Sequence, residues 1–439
     1  MTSKLAEKII EKKATIGVVG MGYIGLSLLD AFGDAGFSIV GYDTNAKKVK
    51  MLKKKESYLN FLDLNGLFDL MDKNRFTPSS ESSVLKGSDI LIISVPTSLD
   101  QYGTPDLTNL HNAFETVAKY QKKNQLVILQ SSTYPGTTKE ELLPILEKNN
   151  LKVGKDFYLA HVPEIADIGN PNFSFTEVPR IVSGITATCL KMAELTCKQI
   201  GCKTVHAEST SVAEAAKLLQ NAFRLVNISF INEMKILFDK MHIDVWEVIK
   251  AAASKPFGFM PFYPSPGIGG DCIPIAPIYL IWKAKETDGP TTILEDAKRI
   301  NSMMPTYVIN KLIHGLNAQG KAMKEAKILI LGVGYKKDVN DTRESAALAI
   351  LPILKNMFAE VHYNDPFVAE INSFPGYPNL KMKSVNLNYK KLGAYDSVLI
   401  ITDHDCYDWE SIVANSKLVV DTRNVTAKIK GSKKNVIKA

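Results

Sequence analysis

Thr15-Ile16-Gly17-Val18-Val19-Gly20-Met21-Gly22-Tyr23-Ile24-Gly25 decides the fold of this 439-residue chain. Residues 15–20 are apolar and read as a buried strand, and residues 20–25 match G-x-G-x-x-G. An apolar helix over 26–32 and a second strand over 38–42 follow, and that strand ends at Asp43. Strand, glycine turn, helix, strand and acid together form the dinucleotide-binding context. The glycines allow the turn and let a pyrophosphate sit on the helix N-terminus, where Tyr23 and Ile24 follow Gly22. Asp43 is placed to accept hydrogen bonds from ribose hydroxyls. A carboxylate there repels a 2′-phosphate, so NAD is expected rather than NADP.

More βα units extend this opening. Strands are expected over 89–95, 125–129 and 157–160, with 180–184 and 203–205 extending the sheet. The first three run into Pro96-Thr97, Gln130-Ser131-Ser132-Thr133 and His161-Val162-Pro163-Glu164. Ligands of parallel sheets lie beyond the carboxyl ends of the strands. Thr97, Ser132 and Glu164 therefore share one crevice or cap local helices.

From about 212 to 240 the pattern becomes one long helix. Lys217, Asn221 and Arg224 fall at i, i+4 and i+7 on one face. Leu218, Leu219, Phe223 and Leu225 around them imply a buried helix, and a buried lysine needs a partner or a task. A helix this long is also a natural dimer spine.

Pro266-Gly267-Ile268-Gly269-Gly270-Asp271-Cys272-Ile273-Pro274 comes next. Its glycines let backbone lie close to a ligand. Pro274 and Pro277 lead into a helix over 278–283, and a thiol at a helix N-terminus has more thiolate character. The loop reads as a nucleophile in a backbone cradle, or as a tight turn holding a structural cysteine. A helix should end over 297–301, with another starting at Pro305. A strand over 326–331 then enters Gly332-Val333-Gly334-Tyr335-Lys336-Lys337, a distant echo of residues 14–25. Lys337 stands where the third glycine would be, which suits a diphosphate held by charge without a second dinucleotide. Residues 341–345 open a helix, and strands over 360–363, 397–401 and 418–420 complete a Rossmann-like C-terminal domain.

Composition fits a globular protein, with 45% hydrophobic and 23% charged residues. The net charge of +7 is mild and spread along the chain, which suits an anionic small substrate better than nucleic acid. No apolar run is long enough to span a membrane. The five cysteines make no CxxC pair and no disulfide framework, so a reducing cytoplasm is expected. No metal-ligand set is assigned.

In this order, the motifs resemble the nucleotide-sugar 6-dehydrogenases of the UDP-glucose and GDP-mannose dehydrogenase superfamily, over nearly the whole chain. Residues 255–264, 132–138 and 273–275 look most like UDP-N-acetylglucosamine 6-dehydrogenases. The resemblance implies an α/β protein of two Rossmann-like domains joined by a long central helix or helical domain. The divisions are 1–208 for NAD, 209–310 for dimerisation and the cysteine loop, and 311–439 for the UDP-sugar. It implies oxidation of a sugar C6 alcohol to a carboxylate with two NAD, by a homodimer or a multiple of it, in surface polysaccharide synthesis. Cys272 becomes the nucleophile, Lys217 and Asn221 the oxyanion-stabilising pair, Glu164 the active-site glutamate, and Ser132 a residue that helps position water. Pro96, Thr97, Ser132 and Arg343 join the glycine turn and Asp43 as cofactor contacts. Glu164, Lys217, Asn221, Arg224, Phe262, Tyr263, Gly269, Lys336 and Arg423 line the sugar nucleotide. UDP-glucose and UDP-N-acetylmannosamine remain alternative substrates, and a sugar-nucleotide-binding homologue with weak turnover is a further alternative. The chain departs from the family pattern at two places. Ala276 replaces an aspartate four residues after the cysteine, and Asp271 replaces the histidine common before it in members acting on N-acetylated sugars.

Overall fold

The computed structural model describes residues 4–60, 62–165, 172–270, 272–372 and 381–439. Asp271 lies outside them. The chain divides into two compact units, Met1–Gln220 with Ile278–Gly289, and Asn221–Pro277 with Pro290–Ala439.

The first unit is built on eight strands: β1 Thr15–Val19, β2 Ser38–Tyr42, β3 Phe76–Ser79, β4 Ile90–Ile93, β5 Leu126–Leu129, β6 Tyr158–His161, β7 Arg180–Gly184 and β8 Thr204–His206. Their order is β8-β7-β6-β5-β4-β1-β2-β3, so the sheet reverses direction of winding between β1 and β4. β1 pairs in parallel with β2 and β4, as the sequence implies. Two features differ from the reading above. β7 extends the sheet antiparallel to β6. β3 was not anticipated, because Phe76-Thr77-Pro78-Ser79 carries a proline, which is tolerated here at the sheet edge. The helix after the glycine turn starts at Tyr23 rather than Leu26 and runs to Asp34. Its Leu26, Leu29 and Phe32 join Ile16, Val18 and Ile39 in the core.

The second unit carries β9 Lys327–Leu331, β10 Glu360–Asn364, β11 Ser397–Ile400, β12 Val419–Asp421 and β13 Val436–Lys438 in the order β10-β9-β11-β12-β13. All four pairings are parallel, which confirms the Rossmann-like form. β13 was missed, since three residues in a lysine-rich tail carry no periodic signal. The helix expected to end before Pro305 instead runs unbroken over Thr292–Ala318, with Pro305 inside it. Proline removes one helical hydrogen bond. Burial of Met304, Val308, Leu312 and Leu316 along one side holds the helix together across the gap.

The long helix is Thr210–Lys240. The expectation that it is buried needs correction, because Leu219 and Phe223 face outward with Phe230 and Leu237. Its inward stripe runs through Leu218, Asn221, Leu225, Ser229 and Asn232. Arg224 sits beside this stripe and is exposed.

His161, at the end of β6, is fully buried, and among the described residues neither ring nitrogen has a hydrogen-bond partner. Burial pushes its pKa down to about 3. The unfolded chain takes up a proton near pH 6.5 that the folded chain refuses, so stability falls as pH drops below that value. Between pH 7 and pH 5 this one group should cost about 2 kcal/mol. Urea unfolding of His161→Leu should lose correspondingly less stability over that interval than the parent protein. An unchanged pH dependence would refute the assignment.

Candidate active site

The glycine turn in the first unit is shaped by close packing. Gly20 has φ +94°, and a Cβ there would lie 2.5 Å from the Ser94 carbonyl oxygen. A Cβ on Gly25 would lie 1.9 Å from the Gly20 carbonyl oxygen, so only glycine lets helix and strand approach this closely. Gly22 differs, since its Cβ direction meets open space within 4 Å. No side chain caps the helix that begins at Tyr23 and Ile24. Beyond it, Asp43 accepts from the amides of Met21 at 2.9 Å and Asn45 at 2.8 Å and stays half-buried. An uncapped helix N-terminus beside open space, with a carboxylate at the end of β2, fits the pyrophosphate and ribose of NAD.

The three strand ends are laced together. Thr97, which follows the exposed Pro96, donates to the Ser132 carbonyl at 2.9 Å. Gln130 Nε2 donates to Glu164 Oε2 at 2.5 Å. The buried Arg180 donates to Glu164 Oε1 at 2.5 Å and stacks against Phe175. Both oxygens of Glu164 are thus engaged, and it stands as an anchored carboxylate rather than an idle base. Ser132 is half-buried at the exit of β5.

Glu214 escaped the sequence reading. It is fully buried and accepts from Gly136 N at 2.7 Å, Thr138 N at 2.8 Å and Thr138 Oγ1 at 2.5 Å. Burial raises its pKa, against these hydrogen bonds. It fixes the loop after β5 to the start of the long helix. Its only sequence signal is a lone acid between alanines, Ala213-Glu214-Ala215-Ala216. Lys217 and Asn221 follow on the covered side, 8% and 4% exposed. Among the described residues Lys217 has no acidic partner, and Asn221 Nδ2 has no hydrogen-bond acceptor. A buried amide donor without an acceptor, one turn from a largely covered lysine, fits a ligand that brings acceptors.

In the second unit, Cys272 is a half-buried thiol outside any disulfide. Its carbonyl accepts from Ala276 N at 2.9 Å, which starts the helix Ala276–Ala284. The glycines before it make close contacts within the protein. A Cβ on Gly269 would lie 2.7 Å from Tyr335 Cβ and 2.8 Å from the Glu344 carbonyl oxygen. One on Gly270 would lie 3.0 Å from the Tyr335 ring. These glycines let the loop pack against residues 335–344. Phe262 packs edge-on against Phe223, and the exposed Tyr263 stacks on Trp246.

The basic residues of this unit ring the carboxyl ends of β9, β11 and β12. Arg343 forks onto Asp341, Lys337 pairs with Asp405, and Arg423 donates to Asp403 at 3.0 Å. Lys336 is half-buried in the same loop as Arg343. At the end of β10, Asp365 occupies the place that Asp43 holds in the first unit. It is buried and accepts from Val333 N, Gly334 N, Phe367 N and Val368 N. Burial works to raise its pKa, but His404 and these amides hold it below the usual carboxylate range. Its acceptor capacity is spent on its own domain, leaving nothing for a second adenosine ribose.

Three family models match successive stretches of the chain. The NAD binding domain of the UDP-glucose/GDP-mannose dehydrogenase family matches residues 14–199, its central domain 211–303, and its UDP binding domain 329–428. This chain belongs to the UDP-glucose/GDP-mannose dehydrogenase family. It is 34% identical to Protein CapL of Staphylococcus aureus, covering 93% of this chain and 96% of that one. It is 32% identical to a UDP-N-acetyl-D-glucosamine 6-dehydrogenase of Salmonella typhi, over 89% of each. The solved UDP-D-ManNAc dehydrogenase of Pyrococcus horikoshii superposes with a TM-score of 0.86 at 30% identity, covering 96% of this chain and 98% of that chain. As a member, the chain is an NAD-dependent UDP-sugar dehydrogenase.

Asp43→Ala should lower kcat/KM for NAD by about tenfold to a hundredfold, the range for a lost charge-assisted hydrogen bond pair, and narrow the preference over NADP. Equal efficiency of the parent enzyme with both cofactors would contradict this role.

Proposed function

We propose that this enzyme carries out the four-electron oxidation of the C6 hydroxyl of a UDP-N-acetylhexosamine, first of all UDP-N-acetylglucosamine, to the uronic acid. NAD, when bound at the glycine turn and Asp43, would supply the hydride acceptor for each of the two oxidations. The Cys272 thiolate adds to the C6 aldehyde after the first and forms a thiohemiacetal. The second leaves a thioester, which water hydrolyses to the carboxylate and the free thiol. Lys217 and Asn221 donate to the oxygen at C6 as its charge develops, and the buried Asn221 amide without an acceptor among the described residues, one turn from a largely covered lysine, is the observation that carries this reading. Glu164, held by Arg180 and Gln130, and Ser132 orient the water. Lys336 and Arg423 take the diphosphate, with Arg343 at the edge of the cofactor. The product fits surface polysaccharide synthesis in the cytoplasm.

The three divisions 1–208, 209–310 and 311–439 take NAD, the dimer interface with the nucleophile, and the UDP moiety. A second substrate, UDP-N-acetylmannosamine, is favoured by the likeness to the Pyrococcus horikoshii enzyme. Ala276 offers no group to activate water, so hydrolysis is expected to be the slow step.

The outward stripe of Val212, Leu219, Phe223, Phe230 and Leu237 supports a homodimer built on the long helix. Sedimentation at micromolar concentration should give the dimer mass, and a monomer would refute it.

The substrate assignment is tested with UDP-N-acetylglucosamine, UDP-N-acetylmannosamine, UDP-glucose and NAD, following NADH. UDP-N-acetylglucosamine should be turned over fastest, with two NADH per uronate. Preference for UDP-glucose, or arrest at one NADH per sugar, would overturn it.

A further inference from the structure

The loop that carries Cys272 makes no regular secondary structure over residues 261–270, so its backbone amides need partners from elsewhere. Three of them find such partners. Ser265 N donates to Asn232 Oδ1 at 2.9 Å, Ile268 N to Asn301 Oδ1 at 2.8 Å, and Gly270 N to the Arg343 carbonyl at 2.9 Å. Two side-chain amides on two helices thus set the path of the loop.

Asn301 is the more telling of the two. It lies four residues after Ala297 and four before Pro305, so the three share one face of the helix Thr292–Ala318. Ala297 clusters with Leu225, Ile273 and Ile268. A Cβ on Gly267, where φ is +139°, would stand 4.0 Å from the Pro305 ring. That face lies along the loop, and among the described residues Asn301 supplies its hydrogen bond to it. Ser229 Oγ donates to the Ala297 carbonyl at 2.7 Å and ties the same face to the long helix.

We infer that Asn301 is a positioning residue for the nucleophile: its side-chain carbonyl holds the Ile268 amide and so sets where the Cys272 sulfur stands. The inference rests on Cys272 being the nucleophile. A sulfur displaced by about 1 Å costs roughly a hundredfold in rate while leaving distant binding contacts intact.

The test compares Asn301→Leu, Asn301→Gln and Asn301→Asp with UDP-N-acetylglucosamine and NAD. Leucine removes the acceptor. Glutamine keeps an amide but moves its oxygen by one methylene, which guards against a leucine variant that fails to fold. Aspartate keeps the acceptor in place. Leucine and glutamine should lower kcat about tenfold to a hundredfold with KM for both substrates within about threefold, while aspartate restores most of kcat. The pH profile of Cys272 alkylation by iodoacetamide should shift in the leucine and glutamine variants and not in aspartate. Unchanged kcat in glutamine, or equal loss in glutamine and aspartate, would overturn the inference. Cys272→Ser is run alongside. If it is inactive while Asn301→Gln is normal, only the positioning role falls; if it keeps turnover, the covalent reading falls and takes this inference with it.

Discussion

The carboxylate of Glu214, buried without solvent, is the contact on which the arrangement depends. It gathers the amides of Gly136 and Thr138 and so joins the strand that ends at Ser132 to the helix that carries Lys217. The same helix repeats the device along its length. Ser229 reaches the Ala297 carbonyl and Asn232 the Ser265 amide. Buried loop amides cannot go unpaired, and here polar side chains on one helix supply what strands would otherwise supply. Within this row the Asn221 and Asn232 side-chain amide nitrogens are buried without acceptors among the described residues, and the largely covered Lys217 has no acidic partner there.

The two Rossmann-like domains show how one topology serves two ligands. Both have a glycine turn after the first strand and an aspartate after the second. In the first, Asp43 makes two amide contacts and stays half-buried, so acceptor capacity remains for a ribose. In the second, Asp365 is enclosed by four amides and His404. No helix begins at Tyr335; the next starts at Ala346, and the intervening loop carries Lys336 and Arg343. Basic residues on a loop stand where the first domain has a helix N-terminus.

Much of this was legible from local pattern. The glycine turn, Asp43 and the strand ends at Thr97, Ser132 and Glu164 follow from periodicity and fixed offsets. Other features depend on distant residues. Arg180 claims Glu164 across a strand and a loop, and Glu214 captures a loop some seventy-six residues upstream. The glycines before Cys272 read as room for a ligand, yet Tyr335 and Glu344 fill that room. Pro305 reads as a helix start, but buried packing on both sides carries the helix through it. In each case the local signal was sound and a long-range contact outweighed it.

The central claim is that oxidation passes through a covalent bond to Cys272, with hydrolysis slowed by Ala276. Enzyme mixed with NAD and UDP-N-acetylglucosamine, quenched in acid during turnover and examined by mass spectrometry, tests it directly. The account predicts a uronyl adduct on the peptide containing Cys272, absent from Cys272→Ser. Steady uronate production by Cys272→Ser, with no adduct on the parent enzyme, would contradict it.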